Sequence, residues 1–110
     1  MAAIVVTYFP DATFHDRLDR LIEQVSRVVI VDNGSAANTL AWRERYSEYN
    51  GITILENAEN LGIAVALNQG MRMLGAEGVE WVVTLDQDSA VAPGFVDSLF
   101  ATIARDLDPG

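Results

Sequence analysis

Trp81-Val82-Val83-Thr84-Leu85-Asp86-Gln87-Asp88-Ser89 is an apolar, β-type run that ends abruptly in two carboxylates one residue apart. Residues i and i+2 of an extended chain project to the same side, so Asp86 and Asp88 are set to converge on one hard cation, which takes carboxylate oxygens as ligands. The same residues also suit an ordinary turn. Asp, Gln and Ser favour loop starts and caps, and Pro93 follows closely. The stretches before this one decide between the two.

Ala3-Ile4-Val5-Val6-Thr7-Tyr8 and Arg27-Val28-Val29-Ile30-Val31 are nearly continuous apolar runs, the pattern of strands buried on both faces. Phe9-Pro10-Asp11 ends the first, and Asp32-Asn33-Gly34-Ser35 ends the second in a sharp Asn-Gly turn. Ile52-Thr53-Ile54-Leu55 forms a third strand, followed by polar Glu56-Asn57-Ala58-Glu59-Asn60. Between the strands, Phe14, Leu18, Leu21, Ile22 and Val25 share one helical face. Thr39 to Tyr49 reads as a helix with a weaker stripe of Leu40, Trp42, Tyr46 and Tyr49, stopped by Asn50-Gly51. The third helix opens at Asn60-Leu61-Gly62, with Ile63, Leu67, Met71 and Leu74 as its stripe and small Ala64 and Ala66 allowing close packing; Gly75 and Gly78 break it. Phe95, Val96, Leu99, Phe100 and Ile103 mark a last helix beginning near Pro93.

Strand and helix alternate four times, which predicts an α/β fold: three layers, α/β/α, around a mainly parallel sheet. Such sheets bind ligands outside the carboxyl ends of their strands. Thr7-Tyr8, Asp32, Glu56-Asn57 and Asp86/Asp88 stand at four such ends. Independent turns have no need of acids and aromatics along one edge, and this favours a site over a simple turn.

The composition narrows what that site takes. At 110 residues the chain is one domain by the usual prior. Sixteen acids against seven Arg and no Lys give a formal charge of −9. Nucleic acid and anionic lipid surfaces are therefore poor partners. The lack of Lys also removes the Walker-type phosphate loop, Schiff-base chemistry and a receiver-type Asp/Lys site. There is no G-x-G-x-x-G after the first strand. No apolar run approaches the ~20 residues of a membrane span, and the first residues lack the pattern of a signal peptide. With no Cys, the chain suits a reducing compartment, and a cytoplasmic location is expected, free or at the inner face of the membrane. His15 lies near the start of the first helix, away from the rim, and is given no role; Trp42, Tyr46 and Tyr49 read as packing rather than as a sugar-stacking platform.

If the ligand is a phosphate ester, the arithmetic requires a metal. A carboxylate about 4 Å from a phosphate charge costs on the order of 4 kcal/mol at an effective dielectric near 20. Two acids facing a diphosphate repel it, and Mg²⁺ or Mn²⁺ between them reverses the sign.

Four blocks, Val5-Val6-Thr7-Tyr8, Val31-Asp32-Asn33-Gly34-Ser35, Asn60-Leu61-Gly62 with Ala66 and Asn68, and Leu85-Asp86-Gln87-Asp88-Ser89, together resemble the family 2 inverting glycosyltransferases with the GT-A fold. Asp86-Gln87-Asp88-Ser89 and Asn60-Leu61-Gly62-Ile63-Ala64 are most similar to the bacterial rhamnosyltransferase branch, which uses dTDP-rhamnose. The resemblance implies that residues 1–110 are the N-terminal nucleotide-sugar-binding part of a glycosyltransferase domain. It implies a dTDP- or UDP-sugar donor and a saccharide or lipid-linked acceptor in cell-envelope polysaccharide synthesis.

By position, the resemblance implies that Thr7 and Tyr8 line the nucleoside pocket and that Asp32 accepts a hydrogen bond from a pyrimidine imide. Asp86 is implied near the ribose and metal, Asp88 on the metal and diphosphate, and Asn60 and Gly62 in the wall of the site. Each also has a plainer reading: Tyr8 as core, Asp32 as a turn former, Asn60 as a helix cap. Leu67 stands where many relatives carry Arg, so phosphate binding leans harder on the metal. The family's catalytic base is a carboxylate in the second half, expected here beyond Gly110, which makes these residues by themselves inactive in transfer. The fourth strand is then left as an open edge, prone to self-association. Two alternatives remain: a sugar-nucleotide nucleotidyltransferase, whose Gly-rich basic loop Phe9-Pro10-Asp11 does not match, and a non-catalytic α/β nucleotide-binding or interaction domain.

Overall fold

The computed structural model describes residues 1–35, 41–46, 48–88 and 94–95. In chain order they form β1 (Ala2–Thr7), α1 (Phe14–Ile22), β2 (Arg27–Asp32), a 3₁₀ segment (Ala41–Tyr46), β3 (Ile52–Glu56), α2 (Ile63–Ala76) and β4 (Val82–Asp86). The four strands make one sheet in the order β3-β2-β1-β4, and every pairing is parallel. Consecutive residues of a strand face opposite sides, and the apolar runs of β1 and β2 therefore supply two cores at once. Ala3, Val5, Val28 and Ile30 pack with Phe14, Leu18 and Leu21 of α1 and with Tyr46. Ala2, Ile4, Val29 and Val31 pack on the other side with Ala66 and Leu74 of α2. The three-layer α/β/α reading therefore describes the fold.

Register sets the rim. Thr7 pairs with Asp32, Asp32 with Glu56, and Val6 with Asp86, which brings the carboxyl ends of all four strands to one level. The order also contains a switch point. From β1 the chain steps outward through β2 to β3, and α2 then carries it back to β4 on the other side of β1. The helices that follow neighbouring strands lie on opposite faces there, and a crevice opens between the ends of β1 and β4.

Three helical expectations are corrected. The helix expected over Thr39–Tyr49 is a 3₁₀ segment over Ala41–Tyr46, with residues 36–40 and 47 outside the described residues. Of its described side chains, Tyr46 is buried, Arg45 pairs with Asp19 and Arg43 with Glu56, while Tyr49 beyond its end is exposed; Leu40 and the Trp42 side chain, the other members of the expected stripe, lie outside the described residues. In α2 the buried line is Ala66, Gly70 and Leu74, whereas Ile63 and Met71 of the expected stripe are exposed. Small residues let the helix backbone come close to Ile4, and the contact face turns toward them and away from the larger side chains. Nor does Gly75 break α2, which continues to Ala76. The Val79 N–H bonds the Leu74 carbonyl and the Gly78 N–H the Gly75 carbonyl, a Schellman ending with Gly78 in the left-handed position. Of the helix expected near Pro93 only Gly94 and Phe95 are among the described residues, and Phe95 packs against the core on the α1 side of the sheet. No helix among those described is long and apolar enough to cross a membrane.

Candidate functional site

The end of β1 is wired to the end of β2. Thr7, fully buried, donates its hydroxyl to Asp32 Oδ1 at 2.8 Å. Asp32 also accepts the Ser35 hydroxyl on Oδ1 (2.7 Å) and the Ser35 N–H on Oδ2 (2.9 Å). Three donors stabilise a carboxylate that is only 1% exposed and has no counter-ion among these contacts. The Ser35 hydroxyl in turn accepts the Phe9 N–H, and Phe9 is held at φ +46, a left-handed conformation that a bulky residue avoids. Tyr8 and Phe9, both about half exposed, meet edge to face with centroids 4.8 Å apart.

Asn33 organises the other wall. It is buried, and its amide donates to Asn60 Oδ1 (3.0 Å) and the Gly62 carbonyl (3.1 Å) while its oxygen accepts the Leu61 N–H (3.0 Å). Asn60 Oδ1 also accepts the Gly62 N–H, which closes a tight turn ahead of α2. Asn57 and Gln69 exchange two amide hydrogen bonds beneath it. Two glycines permit this packing. Gly34 has φ +94, and a Cβ there would lie 2.6 Å from the Glu59 carbonyl carbon; Gly62 has φ +87 with open space around it, so backbone conformation alone selects glycine.

The acidic turn completes the site. Gln87, between the two acids, accepts the Tyr8 N–H (2.7 Å) and donates to the Tyr8 carbonyl (3.1 Å), imitating one more residue of sheet pairing past the end of β1. Its own carbonyl accepts from Arg17 Nε at 2.8 Å. Asp86 and Asp88 are exposed on either side of it. Arg17 Nη2 lies 3.9 Å from Asp88 Oδ1. Arg17 also binds Asp11, whose carboxyl is held below the usual carboxylate range first by the Thr13 hydroxyl, then by the Thr13 N–H and Arg17.

Of the residues expected at the site, Thr7, Tyr8, Asn60, Asp86 and Asp88 line one cleft of about 430 Å³, together with Val6, Asn33, Ile63 and Gln87. The volume lies in the range of small-ligand sites. Asp32 and Gly62 are outside that lining: Asp32 sits one hydrogen bond behind Thr7, and Gly62 holds the turn behind Asn60. Glu56 is at the same rim but paired with Arg43. Asn33, Gln87 and Arg17 had no assigned role in the sequence reading, because their partners are 27 to 79 positions away. The one local signal was the polar Gln between two acids at the end of an apolar strand. Among the described residues no three His, Cys, Asp or Glu side chains gather into a metal cage. The donor set is thus two hard carboxylates on an open cleft, fit for a cation that takes its other ligands from water and a bound phosphate.

The sequence profile described as Glycosyl transferase family 2 matches residues 2–108. The dTDP-rhamnosyl transferase RfbF of Shigella flexneri is 30% identical over 98 residues, which are 88% of this chain and 32% of that protein. The chain thus spans about a third of the length of that curated relative. Among solved structures, the mannosyltransferase PcManGT from Pyrobaculum calidifontis, in complex with GDP-Man and Mn2+, superposes with a TM-score of 0.72 and 28% identity, covering 98% of this chain and 32% of that one. S. aureus TarS 1-349 superposes with a TM-score of 0.74 over 94% of this chain and 32% of its own; at 22% identity it speaks for the fold alone. The parallel sheet and its helices are those of the GT-A glycosyltransferases. With the profile running through almost all of its length, the chain belongs to glycosyl transferase family 2.

Proposed function

We propose that residues 1–110 form the nucleotide-sugar-binding part of an inverting, metal-dependent glycosyltransferase. The donor is dTDP-rhamnose, or a UDP-sugar of the same layout, and the acceptor a saccharide or lipid-linked saccharide of the cell envelope. The observation that carries this reading is the cleft at the β1/β4 switch point, where Asp86 and Asp88 face the same space as Thr7, Tyr8 and Asn60. The 30% identity with a dTDP-rhamnosyl transferase supports the choice of donor, and the Mn2+ and GDP-Man in the 28% identical mannosyltransferase support the use of a divalent cation and a diphospho-sugar.

In this reading Thr7 and Tyr8 flank the nucleoside, Asn60 and Gly62 form the wall, Asp86 lies near the ribose and metal, and Asp88 holds Mg²⁺ or Mn²⁺ against the diphosphate. A bound cation neutralises the charge that gathers on the leaving diphosphate. Asp32 accepts the pyrimidine imide. Its Oδ2 takes only the Ser35 N–H among the described residues, so an acceptor position remains on a side chain that is 1% exposed, and reaching it requires a local opening of the rim. Among the described residues both cleft carboxylates are engaged on the leaving-group side, so neither serves as the general base that deprotonates the acceptor.

Calorimetric titration of dTDP, UDP and ADP with and without Mn²⁺ tests the reading. Binding of the pyrimidine diphosphates is expected only with Mn²⁺, and Asp88→Asn is expected to weaken it by about 2 kcal/mol, roughly thirtyfold. Equal binding without metal overturns the metal site. ADP binding as tightly as dTDP overturns the role of Asp32, and no nucleotide binding at all leaves a bare interaction domain.

A further inference from the structure

We infer that Arg17 is a positioning residue for the acidic turn: through its bond to the Gln87 carbonyl it fixes Asp86 and Asp88 in the orientation in which both face the cleft. The inference rests on the metal-dependent reading above and extends it to a residue outside the cleft. Arg17 stands in the middle of α1, yet its side chain is only 17% exposed. Its donors tie two segments together, the turn after β4 and the loop between β1 and α1: Nε goes to the Gln87 carbonyl (2.8 Å), Nη1 to the Thr13 hydroxyl (2.9 Å) and Nη2 to Asp11 Oδ1 (3.1 Å). The Gln87 contact joins residues 70 apart in sequence.

Gln87 is thereby held at both ends, its side-chain amide on the Tyr8 backbone and its carbonyl on Arg17. Asp86 ends β4 and Asp88 stands in the turn after it, so fixing Gln87 between them fixes the backbone that aims both carboxylates at the cleft. Without such a clamp, two adjacent carboxylates lower their mutual repulsion by turning apart, and a turn beyond a strand end has little else to prevent it. The distance to Asp88 fits this role. At 3.9 Å the guanidinium is close enough to favour the carboxylate's direction but beyond hydrogen-bond range, and Asp88, 81% exposed, keeps its oxygens for a cation. A planar fork with an Nε donor is required; an ammonium carries the charge but not the geometry.

The test separates geometry from charge. Mn²⁺ affinity in the presence of saturating dTDP is measured by electron paramagnetic resonance for wild type, Arg17→Lys, Arg17→Gln and Asp88→Asn, with a thermal melt of each. Positioning predicts that both Arg17 variants weaken Mn²⁺ binding about tenfold. A charge effect alone predicts wild-type affinity for R17K and tighter Mn²⁺ binding for R17Q, since a competing cation is gone; that pattern overturns the inference. If the Arg17 variants do not fold, Asp11→Asn, on an exposed loop, withdraws one anchor of the guanidinium and is expected to weaken Mn²⁺ binding about threefold; unchanged affinity there overturns it. Metal-independent dTDP binding by wild type defeats the functional reading and this inference together. Metal dependence lost in D88N but intact in R17K defeats this inference alone.

Discussion

Asp32 and Tyr46 are both buried oxygen groups, and their surroundings give them different work. Asp32 has three donors and serves as the hub that fastens β1 to the turn after β2. Tyr46 is the anchor of the 3₁₀ segment, its hydroxyl 2.6 Å from Asp19 Oδ1 and 3.2 Å from the His15 carbonyl. Burial, and then the Asp19 carboxylate, raise its ionisation well above the ordinary value of 10.0. The sign follows from linkage. Below pH about 10 the phenol is neutral in both states and contributes in full, whereas above it the unfolded chain releases the proton more readily and stability falls as pH rises. Tyr46→Phe is therefore expected to cost about 1 kcal/mol at neutral pH and to lose less stability than wild type between about pH 10 and 12. Urea denaturation across that range checks it, and parallel curves contradict it. His15 offers its carbonyl to Tyr46, and its ring Nε2 lies 3.2 Å from Asp16 Oδ1.

At the scale of elements, α2 shows which of two apolar faces a helix buries. Its larger residues Ile63 and Met71 stay exposed, while Ala66, Gly70 and Leu74 meet the sheet. A Cβ on Gly70 would lie 3.0 to 3.1 Å from three atoms of Ile4, a side chain with no exposure. Ala gains about 1 kcal/mol over Gly in helix propensity, but crowding in a closed core costs about 1–3 kcal/mol. Gly70→Ala is thus expected to destabilise by about 1 kcal/mol, and Ile4→Val in the same chain to recover part of that loss. A double-mutant cycle by thermal melting measures the coupling; additive effects would show that Ile4 is not what limits the approach. The α2 stripe was legible in the sequence as a helical period, but not its rotation, because periodicity counts large apolar residues and two of the three buried positions are Ala66 and Gly70.

For the whole molecule the strand order matters most. It puts the ends of β1 and β4 side by side at the switch point and leaves β4 and β3 as the outer strands of the sheet. Among the described residues the carboxylates lining the cleft are Asp86 and Asp88, and Glu56 is engaged by Arg43. Inverting transfer requires a base within hydrogen-bond reach of the acceptor, opposite the leaving group. The 110-residue chain is therefore expected to bind the donor nucleotide with Mn²⁺ but to transfer no sugar. Labelled dTDP-rhamnose with saccharide and lipid-linked acceptors tests this, and turnover above the background without protein contradicts it.

The sequence by itself determined the class of fold and the edge on which to look. Continuous apolar runs in β1 and β2 meant burial on both faces, alternation with helical periods meant a parallel sheet, and the acids and aromatics at the run ends marked one rim. Those are local signals, carried by residues a few positions apart. Tertiary structure alone decided what joins the rim into a site: Asn33 reaching Asn60, Gln87 closing on Tyr8, Arg17 crossing from α1, and Asp32 drawn behind Thr7 rather than into the cleft. It also decided that residues 41–46 wind as 3₁₀, with Tyr46 buried against the core. The physical reason is common to them all. Hydrogen bonds between polar side chains depend on ångström distances set by strand order and register, and no spacing along the chain encodes a partner 70 residues away.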